Sequence, residues 1–228
     1  MAPAALKMRG CFVAGTDTEV GKTWVASAVV HRWRGAGHRV AVLKPVAAGC
    51  EDHGAGLRNA DAEQLLAASG SGQDYASVNP YAFAPPVSPH LAARDAGVQV
   101  DVPALAAHAA DLLERHDRLV VEGAGGWLCP VGESVTLEDL AVALQLPVLL
   151  VVGLRLGCLN HALLSASRIV ERGLPLAGWV GTPIDPGMAR VADNVATLTD
   201  RLPAPCLGVL PRLERLQPQR LAAALSGP

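Results

Sequence analysis

The chain is short of aromatic side chains, 4% of 228 residues, and carries almost no charge imbalance, with a formal net charge of −2. The first shortage removes the stacking platform that single-stranded nucleic acid needs. The second removes the basic face that a duplex needs. No nucleic-acid partner is expected. Paired cysteine spacing is missing as well. Cys11, Cys50, Cys129, Cys158 and Cys206 are scattered, odd in number and form no CxxC. A disulfide framework or zinc site is therefore not expected, and a reducing compartment, the cytoplasm, is. The seven histidines show no HExxH or similar metal spacing. No long apolar run opens the chain, so neither a signal peptide nor a membrane span is expected. The first eight residues read as a loose extension. No repeat or linker divides the rest. What is present is apolar bulk, 50% of the residues, enough for a large core and against disorder. The length suits one α/β domain over residues 1–228.

The organising stretch is Gly15 to Thr23, Gly-Thr-Asp-Thr-Glu-Val-Gly-Lys-Thr. An apolar run, Cys11 to Ala14, precedes it, and a helical stretch from Trp24 to Arg34 follows, closed by Gly35-Ala36-Gly37. Strand, glycine loop, Gly-Lys-Thr and helix form the context of a phosphate-binding loop. Loop N–H groups and the helix N-terminus present positive charge to an anion. Lys22 is then expected to reach the β- and γ-phosphates, and the Thr23 hydroxyl to ligate Mg²⁺. Five residues, not four, separate the two glycines. The longer loop carries Asp17 and Glu19, acids that must turn from a triphosphate or face a cation. It also leaves room for a second substrate.

Arg39 to Leu43 reads as a second buried strand, expected to be a parallel neighbour of the first. It ends in Lys44, which the residues alone leave as either a solvated lysine or a member of the phosphate-loop rim. Residues 51–56 read as a polar loop. Arg58-Asn59-Ala60-Asp61 opens a helix to Ala68, where an N-cap Asn59 and a first-turn Asp61 need no further role. Residues 70–89 read as a long loop. A short helix follows Ser88-Pro89-His90, and His90 reads as a cap or surface residue. A helix is expected over Val102 to Arg115, with Pro103 at its start. Arg118 to Gly126 reads as a strand tipped by Glu122 and glycines, with Glu122 either exposed or facing a metal. Later come a helix over Thr136–Leu144, a central strand at Pro147–Gly153, and a loop at 154–161 entering a helix to Arg172. A strand at Leu176–Thr182, a helix near 188–201, a strand at Pro205–Pro211 and a helix at Gln217–Leu225 complete the pattern. Such alternation predicts a three-layer α/β fold, a mainly parallel sheet with helices on both faces.

Taken together, the motifs resemble the dethiobiotin synthetases, ATP-dependent enzymes of biotin synthesis. The resemblance spans nearly the whole chain. It rests on GTDTEVGKT (15–23), KPVAAG (44–49), GLRNAD (56–61), VNPYAF (78–83), VSPH (87–90), VEGAGGW (121–127), VVGLRLGCLNHA (151–162) and LAGWV (176–180).

The resemblance implies a P-loop NTPase-like fold and ring closure of 7,8-diaminopelargonate with CO₂ and ATP, forming dethiobiotin. One amine takes up CO₂ as a carbamate, whose oxygen accepts the γ-phosphoryl group. The second amine attacks the resulting mixed anhydride, and phosphate leaves. By the resemblance Lys44, Lys22 and Thr18 serve the chemistry, and Thr23, Asp61 and Glu122 hold Mg²⁺. The nucleotide meets Thr18, Glu19, Val20, Gly21, Lys22, Thr23, Glu122, Gly125, Thr182 and Pro211. The organic substrate meets Lys44 and Ala48, and its tail carboxylate meets Gly157, Cys158, Leu159 and Asn160 of a second subunit, which makes a homodimer. Two positions depart from the family pattern. Ala48 stands where Ser is frequent, and Thr182 where an Asn commonly reads adenine. Partitioning ATPases, a rival reading, carry an early loop lysine where this chain has Thr16.

Overall fold

The structure is a computed structural model, and it describes residues 8–226. Residues 1–7 of the expected loose extension lie outside the described residues. Met8 packs against the core beside the first helix.

The elements follow in chain order as β1 (Gly10–Gly15), α1 (Lys22–Gly35), β2 (Val40–Leu43), β3 (Val46–Ala48), β4 (Glu51–Asp52), β5 (Leu57–Arg58), α2 (Ala60–Ser69), α3 (Tyr75–Val78), β6 (Tyr81–Phe83), α4 (Pro89–Asp95) and α5 (Val102–Arg115). Then come β7 (Arg118–Gly126), α6 (Leu137–Leu144), β8 (Val148–Gly153), α7 (Cys158–Glu171), β9 (Leu176–Thr182), α8 (Val191–Arg201), β10 (Cys206–Val209) and α9 (Pro218–Ala223). Six strands form one parallel sheet in the order β10-β9-β8-β1-β7-β2. A sheet covered on both faces explains strands that are apolar throughout. Successive residues of one strand serve opposite layers. Phe12 and Ala14 join a core with Leu112, Leu140 and Ile169 of α5, α6 and α7. Cys11 and Val13 join a second core with Val25, Val29, Leu65 and Leu221 of α1, α2 and α9. The expected three-layer arrangement is therefore the observed one. Among the described residues no helix is long and apolar enough to cross a membrane.

β1 lies between β7 and β8, so the loop after β1 leaves the sheet at its centre. β2 is an edge strand, whose free N–H and C=O groups invite pairing. Gln73 covers that edge, accepting from Val42 N at 2.9 Å and donating to Val42 O at 3.1 Å.

Three expectations need correction. β2, expected beside β1, pairs with β7, which lies between them, because the connection from β1 skips one strand position. Residues 51–56 are not wholly loop, since β4 and β5 pair antiparallel. Residues 70–89 contain α3 and β6, and β6 pairs in parallel with β3. Three-residue strands between Pro, Gly and Asn are too short to show a period, and their pairing is tertiary. α1 also starts earlier than expected, at Lys22, and β7 continues through its glycines to Gly126.

Candidate active site

The loop at 15–23 wraps the N-terminus of α1. Gly21 is left-handed at φ 85 and caps α1 without a side-chain hydrogen bond, so the first-turn N–H groups remain available to an anion. Gly15 is required sterically. A Cβ there would lie 2.8 Å from Val20 Cγ2, 2.9 Å from Asp17 O and 3.0 Å from Lys22 Nζ. Lys22 is folded back over the loop, donating to Asp17 O at 2.9 Å. The Asp17 carboxylate is ion-paired with Arg155 of the loop after β8, which answers how an acid is tolerated there. Glu19 is exposed, with φ 57.

Lys44 leaves the end of β2 and is buried, with Nζ donating to Glu122 Oε1 at 2.6 Å, Asp61 Oδ2 at 3.1 Å and Gly123 O at 3.2 Å. The solvated reading of Lys44 is thereby excluded, as is an exposed Glu122, which has 0% exposure. Thr23 donates its hydroxyl to the same Glu122 oxygen at 3.0 Å. Burial works against the Lys44 charge, but Glu122 and Asp61 outweigh it and hold the ammonium above its ordinary pKa. Burial likewise works against Asp61, yet Lys44 keeps its carboxyl below the usual range. Burial pushes Glu122 upward against the pull of Lys44. Lys22 is brought down to about 8, first by burial and then by the like charge of Lys44.

These side chains face one cleft of about 830 Å³. Thr18, Glu19, Gly21, Lys22, Thr23, Lys44, Ala48, Asp61, Glu122 and Gly125 all line it. Val20 differs. Its side chain is buried in the core, while its carbonyl accepts from the Thr182 hydroxyl at 2.5 Å. Thr182 and Pro211 line a second pocket of about 250 Å³, which shares Glu19, Gly21 and Trp24 with the cleft. Gly157 to Asn160 line neither. They open α7, where Gly157 at φ 95 caps without a side-chain hydrogen bond and Cys158 is buried. Leu156 beside them is 93% exposed.

Sequence reasoning gave no site role to Trp24, Val46, Ala47, Asn59, Gln64, Ala124 and Cys129, which also line the cleft, nor to the 86–89 segment that walls one side, although VSPH (87–90) was among the motifs. Their residue types carry no chemical signature; only the fold brings them there.

The donor set fits Mg²⁺. Glu122 Oε2 is buried with no hydrogen-bond partner, a costly state unless a cation meets it. The neighbouring donors, Thr23 and Asp61, offer hard oxygens. Among the described residues no three His, Cys, Asp or Glu side chains gather as a complete ion cage.

The AAA domain family model matches residues 9–220. The ATP-dependent dethiobiotin synthetase of Pseudomonas aeruginosa (strain UCBPP-PA14) is 52% identical over 219 residues, 96% of each chain. That of Chromohalobacter salexigens is 53% identical over 222 residues, 93% of this chain and 94% of its own. In fold, the septum site-determining protein MinD of Pyrococcus horikoshii, solved with Mg-ADP, superposes with a TM-score of 0.58. It shares 14% identity and covers 96% of this chain and 86% of its own. Identity above one half across nearly the full length, on a phosphate loop facing a buried lysine, means that the chain belongs to the ATP-dependent dethiobiotin synthetase family of ligases.

Proposed function

We propose that the cleft closes a cyclic urea on 7,8-diaminopelargonate, using CO₂ and ATP, to yield dethiobiotin, ADP and phosphate. One observation carries the reading: Lys44 is buried with Glu122 and Asp61 in the same cleft as the phosphate loop. A carbamate and a triphosphate are both anions, and their meeting requires fixed positive charge. Lys22 and Lys44 supply it from two sides. Phosphorylation turns the carbamate oxygen into a leaving group. The cleft then holds the second amine against the carbonyl, and closure of a five-membered ring needs mainly that positioning. Thr18 and the loop N–H groups line the organic substrate's side. Thr23, Asp61 and Glu122 hold Mg²⁺, which when bound neutralises charge on the transferring phosphoryl group. Ala48 provides an apolar wall without the hydroxyl contact a Ser would add, worth about 1 kcal/mol.

The triphosphate lies on the α1 N-terminus, with Val20, Gly21 and Gly125 contributing backbone. The base lies in the pocket of Thr182 and Pro211, beside Glu19. The substrate tail carboxylate is held by Gly157, Cys158, Leu159 and Asn160 of a second copy, in a homodimer. The uncapped start of α7 and the exposed Leu156, Leu164 and Val170 support that arrangement. The chain acts as one domain, in the cytoplasm.

The test is phosphate release from ATP with diamine and bicarbonate each withheld in turn. Release is expected to require both. Equal release without the diamine would leave only a nucleotide hydrolase.

A further inference from the structure

Lys44 and Asp61 meet through their side chains, but their backbones are also joined the long way round. Lys44 O accepts from Asn79 Nδ2 at 2.7 Å. Asn79 Oδ1 accepts from the Tyr75 hydroxyl at 3.0 Å. The same hydroxyl oxygen accepts from Asn59 N at 2.6 Å. Asn59 Oδ1 accepts from Asp61 N at 3.1 Å, and Asp61 Oδ2 returns to Lys44 Nζ at 3.1 Å. Five residues thus form a closed ring of hydrogen bonds, and two of them belong to the cleft chemistry.

We infer that Tyr75 and Asn79 are positioning residues, which fix the end of β2 relative to the first turn of α2 and so hold the Lys44 ammonium at its working place. The inference rests on the role given to Lys44 above. Neither Tyr75 nor Asn79 lines the cleft, so neither touches a substrate there. Both are nonetheless constrained well beyond ordinary loop residues. Asn79 is 3% exposed, and its amide donates to Tyr81 O at 3.3 Å as well. Lys44 N donates to Val78 O at 2.7 Å, so α3 and its C-cap Asn79 hold both peptide groups of the lysine. The Tyr75 ring carries the Arg58 guanidinium 4.1 Å from its centroid, which holds the ring in place from outside. Burial raises the Tyr75 pKa, so the hydroxyl keeps the proton it donates.

The physical need is plain. A lysine has four rotatable side-chain bonds, and its reach is only as accurate as its Cα. β2 is an edge strand with a sheet neighbour on one side only, and Lys44, just past its end, would otherwise be free to shift. A shift of about 1 Å at a reacting group can cost on the order of 100-fold in rate. The ring removes that freedom by tying both carriers of the Lys44–Asp61 pair to one tyrosine oxygen.

Tyr75→Phe deletes that oxygen alone and leaves the ring stack on Arg58. In steady-state phosphate release with diamine and bicarbonate saturating, kcat is expected to fall roughly tenfold, with the KM for ATP unchanged and the melting point lowered by a few degrees at most. Asn79→Ala is expected to lower kcat at least as far. The double variant is expected to be no slower than Asn79→Ala, because the two residues act in one chain. Wild-type turnover in Tyr75→Phe overturns the inference. So does a kcat loss accompanied by an equal rise in the KM for ATP, the mark of general loosening. Additive losses in the double variant overturn it too. Should Asn79→Ala fail to fold, Tyr75→Phe alone decides. A wild-type protein without diamine-dependent release overturns the reading of Lys44 itself, and that arm is run first.

Discussion

At one end of the site, β7, the end of β2 and the first turns of α1 and α2 bring Glu122, Lys44, Thr23 and Asp61 into hydrogen bonds of 2.6–3.1 Å, with Lys44 and Glu122 buried. At the other end, between β9 and β10, the pocket of Thr182 and Pro211 is walled by Pro183, Ile184, Leu210 and Leu213. Its buried hydroxyl, Thr182, donates to Val20 O at 2.5 Å and lies 3.2 Å from Val152 O. The first end has charge aimed inward with one oxygen, Glu122 Oε2, left unpartnered. The second has its polarity turned back into the backbone. Charge that must act on a transition state is fixed in advance, where water is excluded and electrostatic effects are large. A group that only needs an apolar slot receives shape. The two ends should therefore respond to substitution very differently.

The largest response is expected from Lys44→Ala. Loss of the ammonium should lower diamine-dependent turnover by about 10³-fold, while ATP binding, followed by titration without the diamine, stays near wild type. Unchanged turnover would remove Lys44 from the chemistry and erase the contrast. Next comes Glu122→Gln, which keeps shape and removes charge. Turnover should fall by about 10²-fold, and half-saturation by Mg²⁺ should move to higher concentration. An unchanged Mg²⁺ titration would take Glu122 out of the metal site.

Much of this charged end was legible beforehand. The chain has three lysines, Lys7, Lys22 and Lys44, and two of them are the buried lysines of the cleft. Gly-Lys-Thr between a strand and a helix announces the first. A lysine at a strand end announces the second only weakly, because nothing local distinguishes a solvated ammonium from one enclosed by Glu122 and Asp61. Those partners lie 78 and 17 residues away, and the ion pair exists only once β2 and β7 are neighbours. That the strands run parallel was readable, because each apolar run is separated from the next by a helical stretch; their order was not, since β7, inserted between β1 and β2, comes far later in the chain. The Tyr75–Asn79 stretch was not, since four helical residues and a three-residue strand are too short to show a period. The Arg155–Asp17 pair joins two loops that only the sheet brings together.

A smaller effect should appear with pH. In the free protein burial and Lys44 bring Lys22 from 10.5 to about 8. The sign follows directly. Between those values the folded chain holds fewer protons than the unfolded one, so Lys22 favours folding more as pH rises through that window. A triphosphate favours the charged lysine. Nucleotide binding near pH 8 to 9 should therefore take up protons, and affinity should weaken about tenfold at most as pH rises from 7 to 9. Calorimetry in two buffers of different ionisation enthalpy reads the uptake directly. Equal heats, with an affinity flat across that range, would mean that Lys22 stays fully charged in the free loop.

The smallest effect is expected at the apolar end, on exchanging the base. A site that hydrogen-bonds a base through a committed side chain rejects analogues strongly, since its own polar group is left unpaired when the analogue binds. Thr182 has one hydroxyl proton, and Val20 O already holds it. The surrounding side chains are mainly apolar, and the charged ones, Glu19 and Arg212, are exposed, so purines and pyrimidines meet chiefly shape and backbone. ATP, GTP and CTP should then differ in kcat/KM by about tenfold or less. Thr182→Val, which deletes the hydroxyl but keeps the volume, should slow all three by the same factor, because what it loosens is the loop at Val20 rather than a base contact. A strong preference for ATP, lost selectively in Thr182→Val, would show that the hydroxyl turns outward when a nucleotide is bound, and the two ends of the site would then share one plan.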